Sequence, residues 1–333
     1  MRKITAFFLA IVLSVFVVPA VISPFLKTGQ EIGEGDAITA GNFSQPFTIT
    51  VYLKNEDRVM ETEFEEYLVG VLAGEMPPTY HIEALKAQAV AARSYILSKA
   101  ATSLEGSVIE EHHGAMVCND YSHCKAWKDI KEAKKGWDLR FADDYEAKIR
   151  SAIEQTKGEY MVYDNKVVKA YFYAMSGGRT ENVEDVWGSS LPYLKSVSSD
   201  EDVGADGFES MSSYPKDLFI QKLKSINENV DIDDLKNSIG SIERTEGESV
   251  KTIEIGGQKF TGKDIREKFS LRSANFEIDI LGDKVTFYVK GYGHGVGMSQ
   301  NGANVMANNG EDYKTILKHY YSGVSMVNLY KKF

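Results

Sequence analysis

Two consecutive prolines, Pro77 and Pro78, stand between two stretches that otherwise read as helix. Proline lacks the N–H that a helix interior needs and its ring collides with the preceding turn, so no helix passes this point and the chain must bend there. Before the break, Phe64, Leu68, Val71 and Leu72 recur at helical spacing up to Gly74, which predicts a first helix ending near Glu75. After it, Ile82, Leu85, Ala89, Ala92 and Ile96 form one apolar stripe, which predicts a second helix over 82–100 whose alanines allow close packing. Lys86 and Arg93, seven residues apart, share a line along the margin of that stripe, where the residue types read first as two solvated cations with buried stems. Glu75 is left at the C-terminal end of the first helix, where the macrodipole is negative. That dipole, and burial beside Met76, both favour a protonated carboxyl at neutral pH. Such a glutamic acid can donate a proton; the residue types alone favour an ordinary surface glutamate near a helix end.

Residues 4–26 carry no charge and follow Arg2 and Lys3, the pattern of a membrane span with its basic flank inside. The run is long for a signal peptide and no Ala-x-Ala site follows it, so a retained anchor over 1–27 is expected. Residues 28–46 are polar and glycine-containing, as in a tether, and the remainder is then placed outside the cytoplasm on a single-pass protein of the cell membrane. A net charge of -10 argues against nucleic acid as a partner, since that binding relies on lysine and arginine displacing counterions.

Phe47, Ile49, Val51 and Leu53 alternate with polar residues as a half-buried strand does. A helix is expected over 145–157, two strands around Asp164-Asn165 within 160–173, and a further strand at 285–290. Helices and strands mix without a steady βαβ rhythm, which predicts an α+β fold, mixed helices and antiparallel strands around a cleft. The charged stretch 204–274, with a helix near 218–226 and a strand near 250–255, reads as an inserted smaller α/β subdomain, leaving 47–203 and 275–333 as the core. With 333 residues, 43% of them hydrophobic, one large core or two smaller ones can be buried.

Three clusters carry candidate chemistry besides Glu75. Ser176-Gly177-Gly178 follows Tyr171 and Tyr173, so glycines allow a ligand close to the backbone while tyrosine rings offer stacking faces; Tyr173 and Ser176 are candidate ligand contacts, and an ordinary turn is the alternative. Gly-x-Ser-x-Gly is absent, so this is not the nucleophile elbow of hydrolases. In GYGHGVGMSQ, His294 stands between glycines and has room to meet a ligand, whereas a phosphate loop would need a Gly-Lys-Ser/Thr ending. Ser299-Gln300 falls at a helix start, as cap or as contact. In EHHGAMVCNDYSHC, His112, Cys118, His123 and Cys124 make the ligand set of a closed tetrahedral zinc site, with His113 an alternative to His112. A disulfide between Cys118 and Cys124 is the rival reading for an extracytoplasmic chain.

EYLVGVLAGEMPPTYHIEALKAQAVAARSY (66–95) resembles the signature stretch of the stage II sporulation protein D family. AYFYAMSGGRTENVEDVWG (170–188), LRSANFEI (271–278), GYGHGVGMSQNGANVMA (291–307) and ILKHYYSG (316–323) resemble later blocks of the same family, in order. The resemblance implies a membrane-anchored lytic transglycosylase that cuts peptidoglycan glycan strands in forespore engulfment, with Glu75 of the Glu-Met-Pro motif as its catalytic acid. Lys86, Arg93, Tyr173, Ser176, His294 and Gln300 become expected substrate contacts. Clostridial members hold zinc with a similar His/Cys arrangement, which implies structural zinc at His112, Cys118, His123 and Cys124. Implied partners are a sporulation amidase (stage II sporulation protein P) and a membrane scaffold (stage II sporulation protein M). The family also resembles amidase enhancers, so a non-catalytic wall-binding protein that stimulates an amidase is the alternative function.

Overall fold

The computed structural model describes residues 47–104, 109–120 and 123–330. The expected membrane span and its tether lie outside the described residues. Among the described residues no helix is long and apolar enough to cross a membrane.

The described part of the chain opens with a hairpin of β1 (Thr48–Leu53) and β2 (Arg58–Glu63), and Asp57 takes the left-handed conformation in the turn. Helix α1 (Phe64–Glu75) starts directly from β2 and is tied back by Phe64 N–H donating to the Phe47 carbonyl at 2.8 Å. The proline bend follows. Met76 is extended, Tyr80 N–H closes a turn on the Pro77 carbonyl at 3.1 Å, and α2 (Ile82–Leu104) begins on the far side. A two-residue strand β3 (Val117–Cys118) then lies parallel to β1. Next come the short α3 (Ile130–Lys134), α4 (Ala142–Gln155), and β4 (Glu159–Tyr163), which turns through Asp164 and Asn165 into β5 (Lys166–Val167). Both turn residues have positive φ, 48° and 60°, as the tight hairpin expected there requires. After β6 (Phe172–Tyr173) and α5 (Val183–Trp187), the chain leaves for a second packing unit.

That second unit holds two antiparallel sheets of three strands each. One is β7 (Glu209–Pro215), β12 (Lys284–Lys290) and β11 (Phe276–Leu281), with β12 central; the other is β8 (Ile239–Arg244), β9 (Val250–Ile255) and β10 (Gln258–Thr261), with β9 central. Helices α6 (Lys216–Lys224) and α7 (Gly262–Lys268) complete it around Phe219, Phe269, Phe276 and Phe287. Its core draws on strands beyond residue 274, so this packing unit runs on to Val289 rather than ending where the charged composition ends. The chain then returns through the glycine-rich loop to β13 (Met298–Ser299), parallel to β6, and to α8 (Gln300–Asn308), α9 (Tyr313–Tyr320) and β14 (Ser325–Asn328), which pairs with β4. The architecture is mixed α+β with largely antiparallel sheets.

Helix α2 is the centre of the main core, packing against α1, α4, α8 and α9. The sequence suggests one apolar stripe, but Ala84, Ala87, Ala89, Val90, Ala91 and Ala92 are all fully buried, because alanine lets neighbours approach on every side. Arg93 is therefore inside the protein. Its guanidinium is fully buried, donates from Nη2 and Nε to the Glu65 carboxylate at 2.6 and 3.2 Å, and from Nη1 to the Glu159 carbonyl at 2.8 Å. The expected substrate contact at Arg93 is thus corrected: no ligand reaches it, and it joins α1, α2 and β4. Glu65 also accepts from Gly158 N–H at 3.1 Å. Glu65→Ala leaves a buried, always-charged guanidinium unpaired, so we expect a loss of about 3–5 kcal/mol in urea unfolding. A loss within the range of an exposed surface pair would contradict this account.

Candidate active site

Glu75 is the last residue of α1, and the segment that shapes its surroundings comes from the loop after the His/Cys cluster. Lys128 N–H donates to the Gly70 carbonyl at 3.1 Å and Ala126 N–H donates to Glu75 Oε1 at 2.7 Å, so residues 124–128 lie along the helix. The approach needs glycines on that face. A Cβ on Gly70 would overlap the Trp127 ring, and one on Gly74 would sit 3.2 Å from the Ala126 backbone. Among the described residues no protein donor meets Glu75 Oε2. The backbone of the same residue is held separately, by Gln300 Nε2 donating to the Glu75 carbonyl at 3.0 Å.

Burial pushes the Glu75 carboxyl up, against the pull of the Lys125 ammonium and the Ala126 N–H. Lys125 is itself buried, with Nζ 3.5 Å from the Phe172 ring centroid and 4.3 Å from that of Tyr95; burial brings its pKa down to about 8, with the charge of Glu75 opposing. His294 lies among aromatic rings, 4.9 Å from Trp187 and 5.4 Å from Tyr173 between centroids. Its Nδ1 accepts from Val296 N–H at 3.1 Å, and burial, then Lys125 and Arg266, pull its pKa down to about 3, so the imidazole is neutral. Gly293, at φ 129°, lets the loop pass Tyr173, where any Cβ would come within 2.6 Å of the tyrosine's own.

Glu75, Gln300, His294 and Tyr173 thus gather on one side of the core around Lys125. Ser176 is nearby but buried, and its polar groups serve the scaffold: N–H donates to Asp202 Oδ2 at 3.0 Å and Oγ to the Ser199 carbonyl at 3.3 Å. Tyr173 is buried with its hydroxyl unpartnered, lining the same small cavity as Ser176 and Glu181. Gln300 positions the acid's backbone, and Ser299 is the cap, accepting from Gly302 N–H at 3.1 Å. Lys86 stands apart, paired with Glu83 at 2.6 Å and 5.7 Å from the Tyr313 ring. Sequence reasoning missed Lys125, Ala126 and Trp187. The one signal for the first two was their position immediately after the His123-Cys124 pair.

The cluster itself is assembled. Donor atoms of His112, Cys118, His123 and Cys124 all lie within 4.8 Å of one another. His112 Nε2 is 3.2 Å from Cys124 Sγ, and His123 Nδ1 is 3.4 and 3.8 Å from the two sulfurs. Tetrahedral zinc at ~2.3 Å from sulfur and ~2.0–2.1 Å from nitrogen has edges of about 3.3–3.8 Å, so these three separations suit the ion, and the set as a whole, spread over 4.8 Å, needs to draw in slightly around it. His112 rather than His113 faces the cluster; His113 is exposed and stacks on Tyr52 at 4.2 Å. Both cysteines are free thiols in this structure. Among the described residues His112 Nδ1 has no hydrogen-bond partner to orient the ring.

Because the native state holds the Glu75 proton to higher pH than the unfolded chain does, this carboxyl costs stability as pH rises from its ordinary value of 4.5 through its raised one. Glu75→Gln is therefore expected to gain stability relative to the parent across that rise, measured by urea unfolding at acidic and neutral pH. A difference that stays flat with pH would refute the buried acid.

The sequence model of the family described as Stage II sporulation protein matches residues 52–163, which takes in α1, the proline bend, α2 and the whole His/Cys cluster. Stage II sporulation protein D of Bacillus amyloliquefaciens is 38% identical over 304 residues, 91% of this chain and 85% of that protein. Stage II sporulation protein D of Bacillus subtilis is 38% identical over 284 residues, 85% of this chain and 80% of that protein. An amidase enhancer of Bacillus subtilis is 28% identical over 310 residues, 78% of this chain but 40% of its own length. With such similarity running through nearly the whole chain, it belongs to the stage II sporulation protein D family.

Proposed function

We propose that this sporulation protein is a lytic transglycosylase that cleaves the bond between N-acetylmuramic acid and N-acetylglucosamine in peptidoglycan glycan strands. The observation that carries the reading is Glu75: a part-buried carboxyl biased towards its protonated form, oriented through one oxygen by Ala126 N–H, with the other oxygen met by no donor among the described residues. The acid protonates the bridging oxygen as the C1–O bond breaks. The resulting carboxylate then takes the proton from the muramyl C6 hydroxyl while that oxygen closes on C1, giving a 1,6-anhydro end. No water enters, so the second carboxylate of an ordinary glycosidase is not required. The charge acting on Glu75 is that of Lys125, which steadies the carboxylate between the two proton transfers. His294, neutral and walled by Tyr171, Tyr173 and Trp187, offers a hydrogen-bonding edge beside aromatic surface, which suits a sugar.

His112, Cys118, His123 and Cys124 would hold zinc in a structural role. Four protein ligands leave no open position for hydrolytic chemistry. What the ion supplies is cross-linking of the loop that continues through Lys125 and Ala126 to Glu75. The apolar residues 4–26 would anchor the protein with this domain outside the cytoplasm, where the family's amidase and membrane scaffold partners act. Similarity to an amidase enhancer supports a second reading, in which the chain binds wall and stimulates a separate amidase without cutting glycan itself.

Mass spectrometry of denuded glycan strands treated with the protein is expected to find 1,6-anhydromuramyl ends, and Glu75→Gln to slow their release by about 10²–10⁴-fold. Reducing ends in their place identify a hydrolase; strands left intact while an added amidase is accelerated favour the enhancer. Elemental analysis is expected to find one zinc per chain, lost together with thermal stability in Cys118→Ser and Cys124→Ser. Zinc-free protein whose thiols appear only after reduction would indicate the disulfide instead.

A further inference from the structure

The sheet β7–β12–β11 buries one face on the phenylalanine core of the second unit, through Val285, Phe287 and Val289 of its central strand. Its other face carries an uncovered row. Strand register sets Met211, Tyr288 and Glu277 side by side across the three strands, with Glu209 opposite Lys290 two residues on. Met211 and Tyr288 are 63% and 49% exposed, large fractions for side chains in the middle of a sheet. A cavity of about 500 Å³ lies over this row, lined by Glu209, Met211, Asn275, Glu277, Tyr288 and Lys290. That is the volume of a small-molecule or oligosaccharide site.

The groove borders the loop that carries His294. Asn275 and Lys290 also line the small cavity bounded by Tyr173, Glu181, Gly293 and Gly295, which are the walls behind His294. Two buried groups at that cavity, the Tyr173 hydroxyl and Glu181 Oε2, have no hydrogen-bond partner among the described residues. Tyr292, on the chain between the sheet and the loop, is half exposed, with the Arg272 guanidinium 4.8 Å from its ring centroid. The groove on the sheet and the small cavity behind His294 thus share a wall made by Asn275 and Lys290.

Resting on the reading of Glu75 as a glycan-cleaving acid, we infer that the open face of this sheet is a distal glycan subsite, in which a sugar of the strand stacks on Tyr288 while Asn275, Glu277 and Glu209 hold its hydroxyl and acetamido groups. The chemistry favours this occupant over a protein. Sugars present a C–H face to an aromatic ring and hydroxyls to carboxylates and amides, the set found here. A stable protein interface needs about 800 Å² per partner, well beyond a groove lined by one short row of side chains. A polymer substrate, moreover, must run on past the bond being cut.

Binding is measured on the full chain carrying Glu75→Gln, which removes turnover, with a trisaccharide and a hexasaccharide of N-acetylglucosamine as probes. We expect the hexasaccharide to bind more tightly, and Tyr288→Ala to weaken it about tenfold while the trisaccharide changes by about twofold or less. Tyr288→Phe keeps the ring and should keep the hexasaccharide affinity, which separates stacking from a folding defect; thermal unfolding of each variant checks the latter. An unchanged preference for the longer probe in Tyr288→Ala overturns the subsite, as does the absence of any glycan binding. Length-dependent binding through Tyr288 in a chain whose parent makes no anhydro ends would keep the subsite and overturn the transglycosylase reading alone.

Discussion

The site is organised by a single contact between segments distant in sequence, the 2.7 Å hydrogen bond from Ala126 N–H to Glu75 Oε1. A helix C-terminus is an unfavourable place for a carboxylate, and the prolines that follow remove any chance of relieving it by extending the helix. A neutral acid placed there would still rotate freely. The loop from Cys124 to Lys128 prevents that by lying along α1, close enough only because Gly70 and Gly74 present no side chain to it. The same loop delivers Lys125 among the aromatic rings. Direction, burial and the one nearby charge thus come from a segment of five residues, and the His/Cys cluster is where that segment is fastened.

The two buried cations illustrate how differently the protein treats charge. Arg93 keeps its charge in the interior because Glu65 meets it with a two-point contact and the Glu159 carbonyl takes a third N–H. Among the described residues Lys125 has rings in place of a salt bridge, and Glu75, then Cys124, support its charge. One cation is fixed in the framework; the other stands beside the candidate acid.

Much of the main fold was legible from period and punctuation. The prolines, Gly158, Asp164-Asn165 and the apolar spacing of 64–72 and 82–96 act locally, and local rules place them well. Glu75 and the cluster could be singled out for the same reason. Less local features escaped. Strand β2 begins at Arg58 and has an exposed, polar pattern, so its place is set by pairing with β1 rather than by its own residues. Arg93 sits at the edge of an apparent stripe, and only the all-round burial of α2 reveals that the edge is interior. The extent of the second unit followed its packing, through Phe276 and Phe287, and not the change in charge near residue 274. Lys125 has no periodic signature; its role depends on where Phe172 and Tyr95 arrive.

Helix α2 is enclosed by neighbours drawn from before and well after it, and the closing strand β14 pairs with β4 at the very end of the described chain. Such an arrangement cannot be finished piecemeal as the polypeptide emerges. Until its last helices and strand arrive, the alanine-rich surface of α2 stays uncovered, and joining ends so far apart carries a loop-closure cost that slows folding. The interior around α2 is thus completed only when the C-terminal segment docks, which also brings Gln300 to the Glu75 carbonyl.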